Sequence, residues 1–411
     1  MKRTITLLLA MIMLLAACGK TGVPAPNDPK APITEPTPPA AEAPIPEPKP
    51  EPVPEPIPEP IPEPIPEPIP EPEPLPEPDP VAELLAQMTV EEKVGQLFLV
   101  RCPTANEAAE AAKWHLSGYV LFAPNIKDKD KESLRAMVTG IQDAAPIDLL
   151  IAVDEEGGTV CRLSAHKAFR DSKFPSPSQV FAAGGWDAIT ADITEKCALF
   201  RQVGVNANLA PVCDVVTDPA AFMYKRAFGI SAEETARFAV TSVETYAGEG
   251  IGAVLKHFPG YGNNADTHTG SALDDRSLEE LEQADLLPFR KAAEAGAGAI
   301  MVAHNIVAAL DPATPASLSP AVHTYLRENM GFDGVIMTDD LYMGAIGAYT
   351  DGRTAAVQAV LAGNDLLCCT DYAEQIPAVL KAVADGTISE DLLNAAVTRV
   401  LQWKLQLGII Q

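Results

Sequence analysis

Eight short apolar runs recur after residue 80 of this 411-residue chain, and they alternate with segments of helical apolar spacing. Each run is continuously hydrophobic, which indicates strands that are covered on both faces. The runs span residues 95–101, 118–123, 149–154, 203–214, 251–258, 298–305, 334–340 and 363–370. The helical segments between them include 105–116, 232–249, 278–295 and 353–361.

Eight strand and helix units in succession predict a (β/α)8 TIM-type barrel that forms a single catalytic domain over residues 81–411. A doubly wound open parallel sheet is the alternative, because strands counted from one sequence can be misassigned. The barrel is favoured by the positions of the polar residues. Asn206 and Asn208 lie within the fourth run, and four other runs end in Asp154-Glu155-Glu156, Lys256-His257, His304-Asn305 and Asp339-Asp340.

The carboxyl ends of barrel strands are where enzymes of this architecture place their catalytic groups. The chain shows no cofactor-binding motif and no metal-binding cysteine spacing, so we predict neither a cofactor nor a metal. Ionisable groups that gather at such an edge without a cofactor favour hydrolysis or a related group transfer.

The N-terminus has the charged start and short apolar core of a secretory signal, and the core is too short for a permanent membrane span. Leu15-Ala16-Ala17-Cys18 resembles the lipobox of bacterial lipoproteins. It predicts a signal peptide over 1–17, a lipidated Cys18, and an extracytoplasmic protein anchored to the cell membrane. An ordinary signal peptide with an incidental cysteine is the alternative.

Residues 18–80 are dominated by proline and glutamate, with a Glu-Pro-Ile-Pro repeat that is clearest from 55 to 70. Proline at every second position favours polyproline II and removes backbone donors. At about 3.1 Å per residue, roughly 60 such residues extend on the order of 180 Å. The segment is predicted to be a stalk, and a ligand for a proline-recognition domain is the alternative.

Charge and cysteine content restrict the partners further. The net charge of −26 argues against a nucleic-acid partner, and the part after the proline-rich segment is itself acidic. The other six cysteines lie mostly in or beside apolar runs, which favours buried thiols, and a single disulfide bond is the alternative. They are Cys102, Cys161, Cys197, Cys213, Cys368 and Cys369.

Five motifs, in the same order along residues 81–411, resemble the β-N-acetylhexosaminidases of glycoside hydrolase family 3. The motifs are Asp154-Glu155-Glu156-Gly157-Gly158-x-Val160-x-Arg162, Ala210-Pro211-Val212-x-Asp214, Arg226-x-Phe228-Gly229, Lys256-His257-Phe258-Pro259-Gly260-x-Gly262-x-x-x-Asp266-x-His268 and Thr338-Asp339-Asp340-Leu341-x-Met343. The resemblance implies a retaining exo-enzyme that removes terminal β-linked N-acetylglucosamine from peptidoglycan fragments or chitooligosaccharides.

The resemblance also implies a role for each matching residue. Asp339 would be the nucleophile, and His268, oriented by Asp266, would be the acid and base. The residues that would hold the terminal sugar are Asp154, Arg162, Arg226, Lys256 and His257. The chain departs from many relatives at Tyr261, Asn263 and Asn264, which puts loop motion and aglycone preference in question.

The sequence leaves the roles of Asp340 and His304 undecided. Asp340 would point away from Asp339 if the strand continued, so it is interpreted as a supporting or loop-capping carboxylate. His304 is either part of the site lining or a core histidine with satisfied hydrogen bonds. Gly260 and Gly262 predict a loop that adopts unusual dihedral angles and moves to deliver His268.

Two other functions fit the same sequence. One is a phosphorylase on the same fold, because a histidine acid/base does not repel an incoming phosphate. The other is a catalytically inactive, stalked saccharide-binding protein. The sequence gives no indication of the oligomeric state.

Overall fold

All eight predicted runs form strands of one parallel sheet. The computed structural model describes residues 79–263, 272–350 and 354–411, which belong to the compact unit Pro74–Gln411. The strands are β1 Phe98–Arg101, β2 Gly118–Leu121, β3 Leu150–Val153, β4 Ala207–Asn208, β5 Gly252–Phe258, β6 Ala299–Val302, β7 Val335–Thr338 and β8 Leu367–Cys369.

The sheet closes on itself. Consecutive strands from β1 to β7 are neighbours, and β8 pairs with β1 in the register Phe98 to Leu367. A parallel bridge between Met337 and Leu366 joins β7 to the start of β8. The prediction of a (β/α)8 barrel is therefore confirmed, and the open doubly wound sheet is excluded.

The helices surround this barrel. They are α1 Pro80–Gln87, α2 Val90–Gln96, α3 Glu107–Trp114, α4 Ala123–Ile126, α5 Lys131–Ala144, α6 Pro177–Val203, α7 Ala232–Gly248, α8 Leu278–Gln283, α9 Leu286–Glu294, α10 Pro320–Thr324, α11 Ala355–Ala362, α12 Tyr372–Ala384 and α13 Glu390–Gln406. Within the described residues, none of these helices is both long and apolar enough to span a membrane.

Polar caps define where several helices begin. Ser231 accepts a hydrogen bond from the backbone of Glu234 at the start of α7, and Ser389 does the same for Leu392 at the start of α13. Such caps satisfy backbone donors that the first helical turn leaves unpaired. They fix the ends of the helices and therefore the loops that lead to the strand ends.

One predicted helix is wrong in its extent. The segment 278–295 was expected to be a single helix, but it divides into α8 and α9 around Asp285. Ala284 has φ −123° and ψ −84°, outside the helical region, and the buried Asp285 carboxyl that follows it bonds to Arg276.

Both faces of the strands are buried, as the apolar runs predict. One cluster fills the barrel interior, where Leu150, Val254 and Met337 meet Trp403 of α13. Larger clusters lie between the sheet and the surrounding helices. The six cysteines after Cys18 are buried and free, which confirms the buried thiols and excludes the disulfide.

Candidate active site

A pocket of about 350 Å³ opens at the carboxyl ends of the barrel strands. This volume falls within the range of small-molecule sites. Its lining comes from loops and strand ends that are distant in sequence, as the barrel architecture allows. The lining residues are Arg101, Val120, Phe122, Asp154, Val160, Arg162, Leu209, Arg226, Lys256, His257, Met301, Asp339, Asp340, Met343 and Cys368.

The closed side of the pocket is a network of buried charges centred on Lys256. The Lys256 Nζ lies 2.8 Å from Asp154 Oδ1 and 2.7 Å from Glu156 Oε1. Arg162 donates to the other oxygen of Asp154 at 3.1 Å. Arg226 forms a two-pronged contact with Glu156, at 2.7 and 3.0 Å. These pairs fix the side chains at orientations suited to a polar ligand.

The network determines the charge of its members. Burial is the largest single influence and raises the pKa values of Asp154 and Glu156, but the cations together outweigh it: Lys256 and Arg162 for Asp154, Lys256 and Arg226 for Glu156. Both pKa values lie below their ordinary range. Burial lowers the pKa of Lys256, but the two carboxylates outweigh it and raise that pKa. The pocket therefore presents ionised donors and acceptors to a polar ligand.

His257 occupies a second hydrogen-bonded chain in the same wall. Its Nε2 lies 3.2 Å from an amino group of Arg226, and its Nδ1 lies 2.8 Å from Asp214 Oδ2. A guanidinium group can only donate, so Nε2 accepts and Nδ1 carries the ring proton. Asp214 also accepts from the backbone of Tyr261 at 2.8 Å. This buried carboxylate therefore orients both the histidine and the loop that follows it.

Glu155 and Glu156 have different functions although they are adjacent. The buried Glu155 carboxylate accepts hydrogen bonds from the backbone of Arg162, Leu163 and Ser164 and from the Ser164 hydroxyl. It holds in place the short hairpin after β3, in which Glu155–Gly157 pairs with Val160–Cys161, and that hairpin positions Arg162. Glu156 instead bonds to the charges that line the pocket.

Asp339 and Asp340 follow the end of β7, and both contribute to the pocket wall. The strand ends at Thr338, so the condition under which Asp340 would point away from Asp339 is not met. The interpretation of Asp340 as a supporting or loop-capping carboxylate agrees with its hydrogen bonds. Asp340 Oδ1 accepts from the backbone of Tyr342 and of Thr370, both at 3.1 Å, and Oδ2 accepts from the Thr370 hydroxyl. Burial raises the pKa of Asp340 against the lowering effect of these bonds. Asp340 therefore ties the end of β7 to the end of β8.

Asp339 is held at the same strand end. Its backbone N–H donates to Val302 of β6 at 2.9 Å, and its Oδ1 accepts from the backbone of Asp340 at 2.8 Å. The carboxylate is part of the pocket wall that also contains Cys368 of β8. This position gives a carboxylate access to whatever occupies the pocket.

The loop after β5 packs against a second charged cluster, which is formed by Arg276, Asp274 and Asp285. Arg276 bonds to Asp285 and Asp274, each at 2.6 Å. Gly260 has φ +115°, and a β-carbon there would lie 2.7 Å from the Cβ of Asp285; a β-carbon at Gly262 would lie 2.7 Å from Arg276 Nη2. Close packing against the base of the Asp285 side chain therefore requires Gly260, and the positive φ of +53° favours glycine at 262. The expected motion of this loop stays a prediction.

The structure brings together Asp154, Arg162, Arg226, Lys256, His257 and Asp339, the six predicted site residues that it describes. Asp266 and His268, like Asn264, lie outside the described residues, so the acid/base assignment stays a prediction. His304 is a core histidine: it is fully buried and bonds to the Ser317 hydroxyl at 2.7 Å and the Asp340 carbonyl at 3.0 Å.

Sequence reasoning did not assign the residues that support this wall. Glu156 and Asp214 stood inside the quoted motifs, and the acidic residue types at those motif positions were the only signal. Arg101 and Phe122 also line the pocket, although no motif contains them. Among the described residues, no group of three or more His, Cys, Asp or Glu side chains is arranged to hold a metal ion.

Comparison with known proteins agrees with this architecture. Residues 89–403 match the profile of the glycosyl hydrolase family 3 N terminal domain. The β-hexosaminidase of Methylococcus capsulatus is 36% identical over 279 residues, which are 66% of this chain and 80% of that protein. The β-hexosaminidase of Pseudomonas aeruginosa is 34% identical over 268 residues, covering 63% of this chain and 76% of that protein.

Solved structures show the same fold. A glycoside hydrolase family 3 β-N-acetylglucosaminidase from Paenibacillus superimposes with a TM-score of 0.72 at 31% identity, over 78% of this chain and 63% of that chain. This chain thus spans less than two thirds of the Paenibacillus structure. A family 3 glycosyl hydrolase from Mycobacterium smegmatis gives a TM-score of 0.71 at 31% identity, over 78% of this chain and 98% of that chain.

The profile match covers most of the barrel, and within it the conspicuous carboxylates and cations converge on one pocket at the carboxyl ends of the strands. This chain belongs to glycoside hydrolase family 3, and it is a glycoside hydrolase.

Proposed function

We propose that this glycoside hydrolase is a retaining exo-β-N-acetylhexosaminidase. Its substrates would carry a terminal β-linked N-acetylglucosamine, as in peptidoglycan fragments or chitooligosaccharides. The observation that carries the proposal is a pocket with hydrogen-bonding charges on one side and the Asp339 carboxylate in its wall. The relatives named β-hexosaminidase and β-N-acetylglucosaminidase support this choice of sugar.

The charge network suits the terminal sugar. An ammonium group has three donors, and Lys256 directs two of them at Asp154 and Glu156, so one remains for a hydroxyl of the sugar. Asp154 retains acceptor capacity after its bonds to Lys256 and Arg162. Together these groups orient the ring so that its anomeric carbon faces Asp339.

The reaction would proceed in two displacements. Asp339 attacks the anomeric carbon, while His268 donates a proton to the leaving oxygen, and a glycosyl-Asp339 intermediate forms. His268, now neutral, then accepts a proton from water, and the water oxygen attacks the anomeric carbon. Two inversions restore the original configuration. Asp266 would stabilise the imidazolium form of His268.

Replacement of the nucleophile tests the proposal directly. Asp339→Ala is expected to lower turnover of 4-nitrophenyl β-N-acetylglucosaminide by about a thousandfold or more, because the covalent step is lost. Asp333→Ala is the matched control, since Asp333 precedes the same strand at the opposite end of the barrel. Equal turnover by the Asp339→Ala variant and the parent protein would refute the mechanism.

The role of His268 is tested by varying the leaving group. A general acid matters most when the leaving oxygen is strongly basic. His268→Ala should therefore lose far more activity on a methyl or disaccharide glycoside than on a 2,4-dinitrophenyl glycoside, with His166→Ala as control. Equal losses on both substrates would assign the proton transfer to another residue.

Product analysis separates the hydrolase from the two alternative functions. Products from chitooligosaccharides and muropeptides are analysed with and without inorganic phosphate. Free N-acetylglucosamine as the main product in both conditions supports hydrolysis. N-acetylglucosamine 1-phosphate as the main product would establish a phosphorylase, and the absence of any turnover would favour a saccharide-binding protein.

We also propose that residues 1–17 are removed as a signal peptide and that Cys18 carries a lipid anchor at the cell membrane. Residues 18–80 would then form a stalk that holds the barrel at 81–411 away from the bilayer. The support is the small-residue sequence before Cys18 and the proline repeat. Mass spectrometry of the mature N-terminus tests this: Cys18→Ser should abolish the lipid adduct, and an unmodified Cys18 would exclude the anchor.

A further inference from the structure

Arg101 lines the pocket but takes no part in the charge network at its closed side. It is the last residue of β1, and its side chain is exposed while the other three residues of the strand are buried. The guanidinium carbon lies 4.4 Å from the centre of the Phe122 ring. This cation–π contact holds the group at a defined place in the wall.

The charge of Arg101 has no carboxylate partner among the residues that the structure describes. Arg162 contacts the same Phe122 ring at 5.1 Å, but it is paired with Asp154. The chain has 56 acidic residues against 30 basic ones, so carboxylates are abundant on its surface. A guanidinium kept apart from them, beside another cation, is available to an anionic ligand.

The depth of Arg101 indicates which part of a substrate it meets. Lys256 is only 2% exposed, whereas Arg101 is exposed, so the Arg101 side chain reaches solvent on the side where the pocket opens. In an exo-acting pocket the terminal sugar enters first, and the rest of the saccharide leaves through the opening. A cation at the opening therefore faces the sugar on the other side of the scissile bond.

We propose that Arg101 recognises a carboxylate on the sugar that follows the scissile bond. This inference rests on the proposed function and narrows its substrate class to saccharides whose second sugar is acidic, such as an N-acetylglucosamine linked to a sugar with a lactyl ether. The planar guanidinium, already held over Phe122, can bind a carboxylate through two parallel hydrogen bonds. Neutral chitin fragments lack this contact.

Two disaccharides that differ only in the lactyl group test the proposal. N,N′-diacetylchitobiose is neutral, and N-acetylglucosaminyl-β-1,4-N-acetylmuramic acid carries the carboxylate. Affinity is measured by calorimetry on the Asp339→Asn variant, which binds without turnover. The acidic disaccharide should bind about fivefold to tenfold more tightly at low salt, and the advantage should shrink as the salt concentration rises.

Arg101→Gln should remove the difference between the two disaccharides, and Arg101→Lys should keep part of it because the charge remains without the planar fork. Arg237→Gln is the matched control: Arg237 is also exposed and lies 4.3 Å from the centre of an aromatic ring, that of Trp186, outside the pocket. Equal affinities for the two disaccharides, or a preference that survives Arg101→Gln, would overturn the inference. The proposed function is judged separately, by turnover of the aryl glycoside by the parent protein.

Discussion

At the scale of single residues, Glu156 is the carboxylate on which two cations of the pocket depend. Its side chain is 1% exposed and bonds to both Lys256 and Arg226. Glu156→Gln keeps the shape of the side chain but removes the negative charge that Lys256 and Arg226 share. We expect a loss of about 3 kcal/mol in the free energy of unfolding, measured by urea denaturation. Glu195→Gln, in the exposed pair with Arg170, should cost less than about 1 kcal/mol.

The same variant has a pH dependence of known sign. The pKa of Glu156 is lowered in the folded protein, so its ionisation stabilises the fold above the unfolded value of 4.5, and this contribution is lost as the pH falls through the folded value. The stability difference between the parent protein and Glu156→Gln should therefore be constant from pH 7 to about pH 5 and shrink below that. A difference that stays constant to pH 3 would contradict the charge assignment.

Residue types at strand ends were enough to find side chains that line the pocket, but not the residues that support them. Lys256 and His257 were predicted because a cation and an imidazole at the end of an apolar strand have few structural explanations. Which of Glu155 and Glu156 faces the pocket depends on the hairpin after β3, where Glu155 turns to the backbone. Arg101 was not predicted as a site residue because a single arginine after an apolar run is common on protein surfaces.

At the scale of elements, the number and order of the strands could be predicted, but their lengths could not. The fourth run was predicted over 203–214, whereas β4 covers only Ala207–Asn208. Pairing with β5 stops after Asn208 and resumes as one bridge from Val212 to Lys256, beyond Pro211, which has no backbone donor. Helix α8 ends before Asp285 for a tertiary reason, its contact with Arg276, which sequence periodicity does not record.

The loop after β5 gives a prediction at this scale. Gly260→Ala places a methyl group against Asp285, and we expect kcat on the aryl glycoside to fall by about tenfold or more because the loop must shift. Gly250→Ala is the control, since Gly250 also has a positive φ (+68°) but no atom within 4 Å of the added carbon. Both variants should lose about 1 to 2 kcal/mol of stability from backbone strain. Equal effects on kcat would show that contact with Asp285 does not position the loop.

At the scale of the whole molecule, the last helix closes the barrel at the end opposite the pocket. Trp403 of α13 packs with the apolar residues of the barrel interior. The adjacent Lys404 is fully buried, and its Nζ donates to Gln96 Oε1 at 2.8 Å and to the Asp148 carbonyl at 2.9 Å. One side chain thus joins α13 to α2 and to the segment that leads into β3.

Lys404 should make the stability of the whole barrel depend on pH. Burial lowers the pKa of Lys404 to about 7, from 10.5 in the unfolded chain. Between these values the unfolded chain binds more protons, so the free energy of unfolding should rise with pH, by up to about 1.4 kcal/mol per unit from this group. Lys404→Met removes that slope, so its deficit relative to the parent protein should be smallest at pH 7 and grow towards pH 10. Lys381→Met is the control: that side chain is 79% exposed, so the variant's free energy of unfolding should follow the pH dependence of the parent protein throughout. If the free energy of unfolding of Lys404→Met ran parallel to that of the parent protein, the buried amine would not be neutral above pH 7.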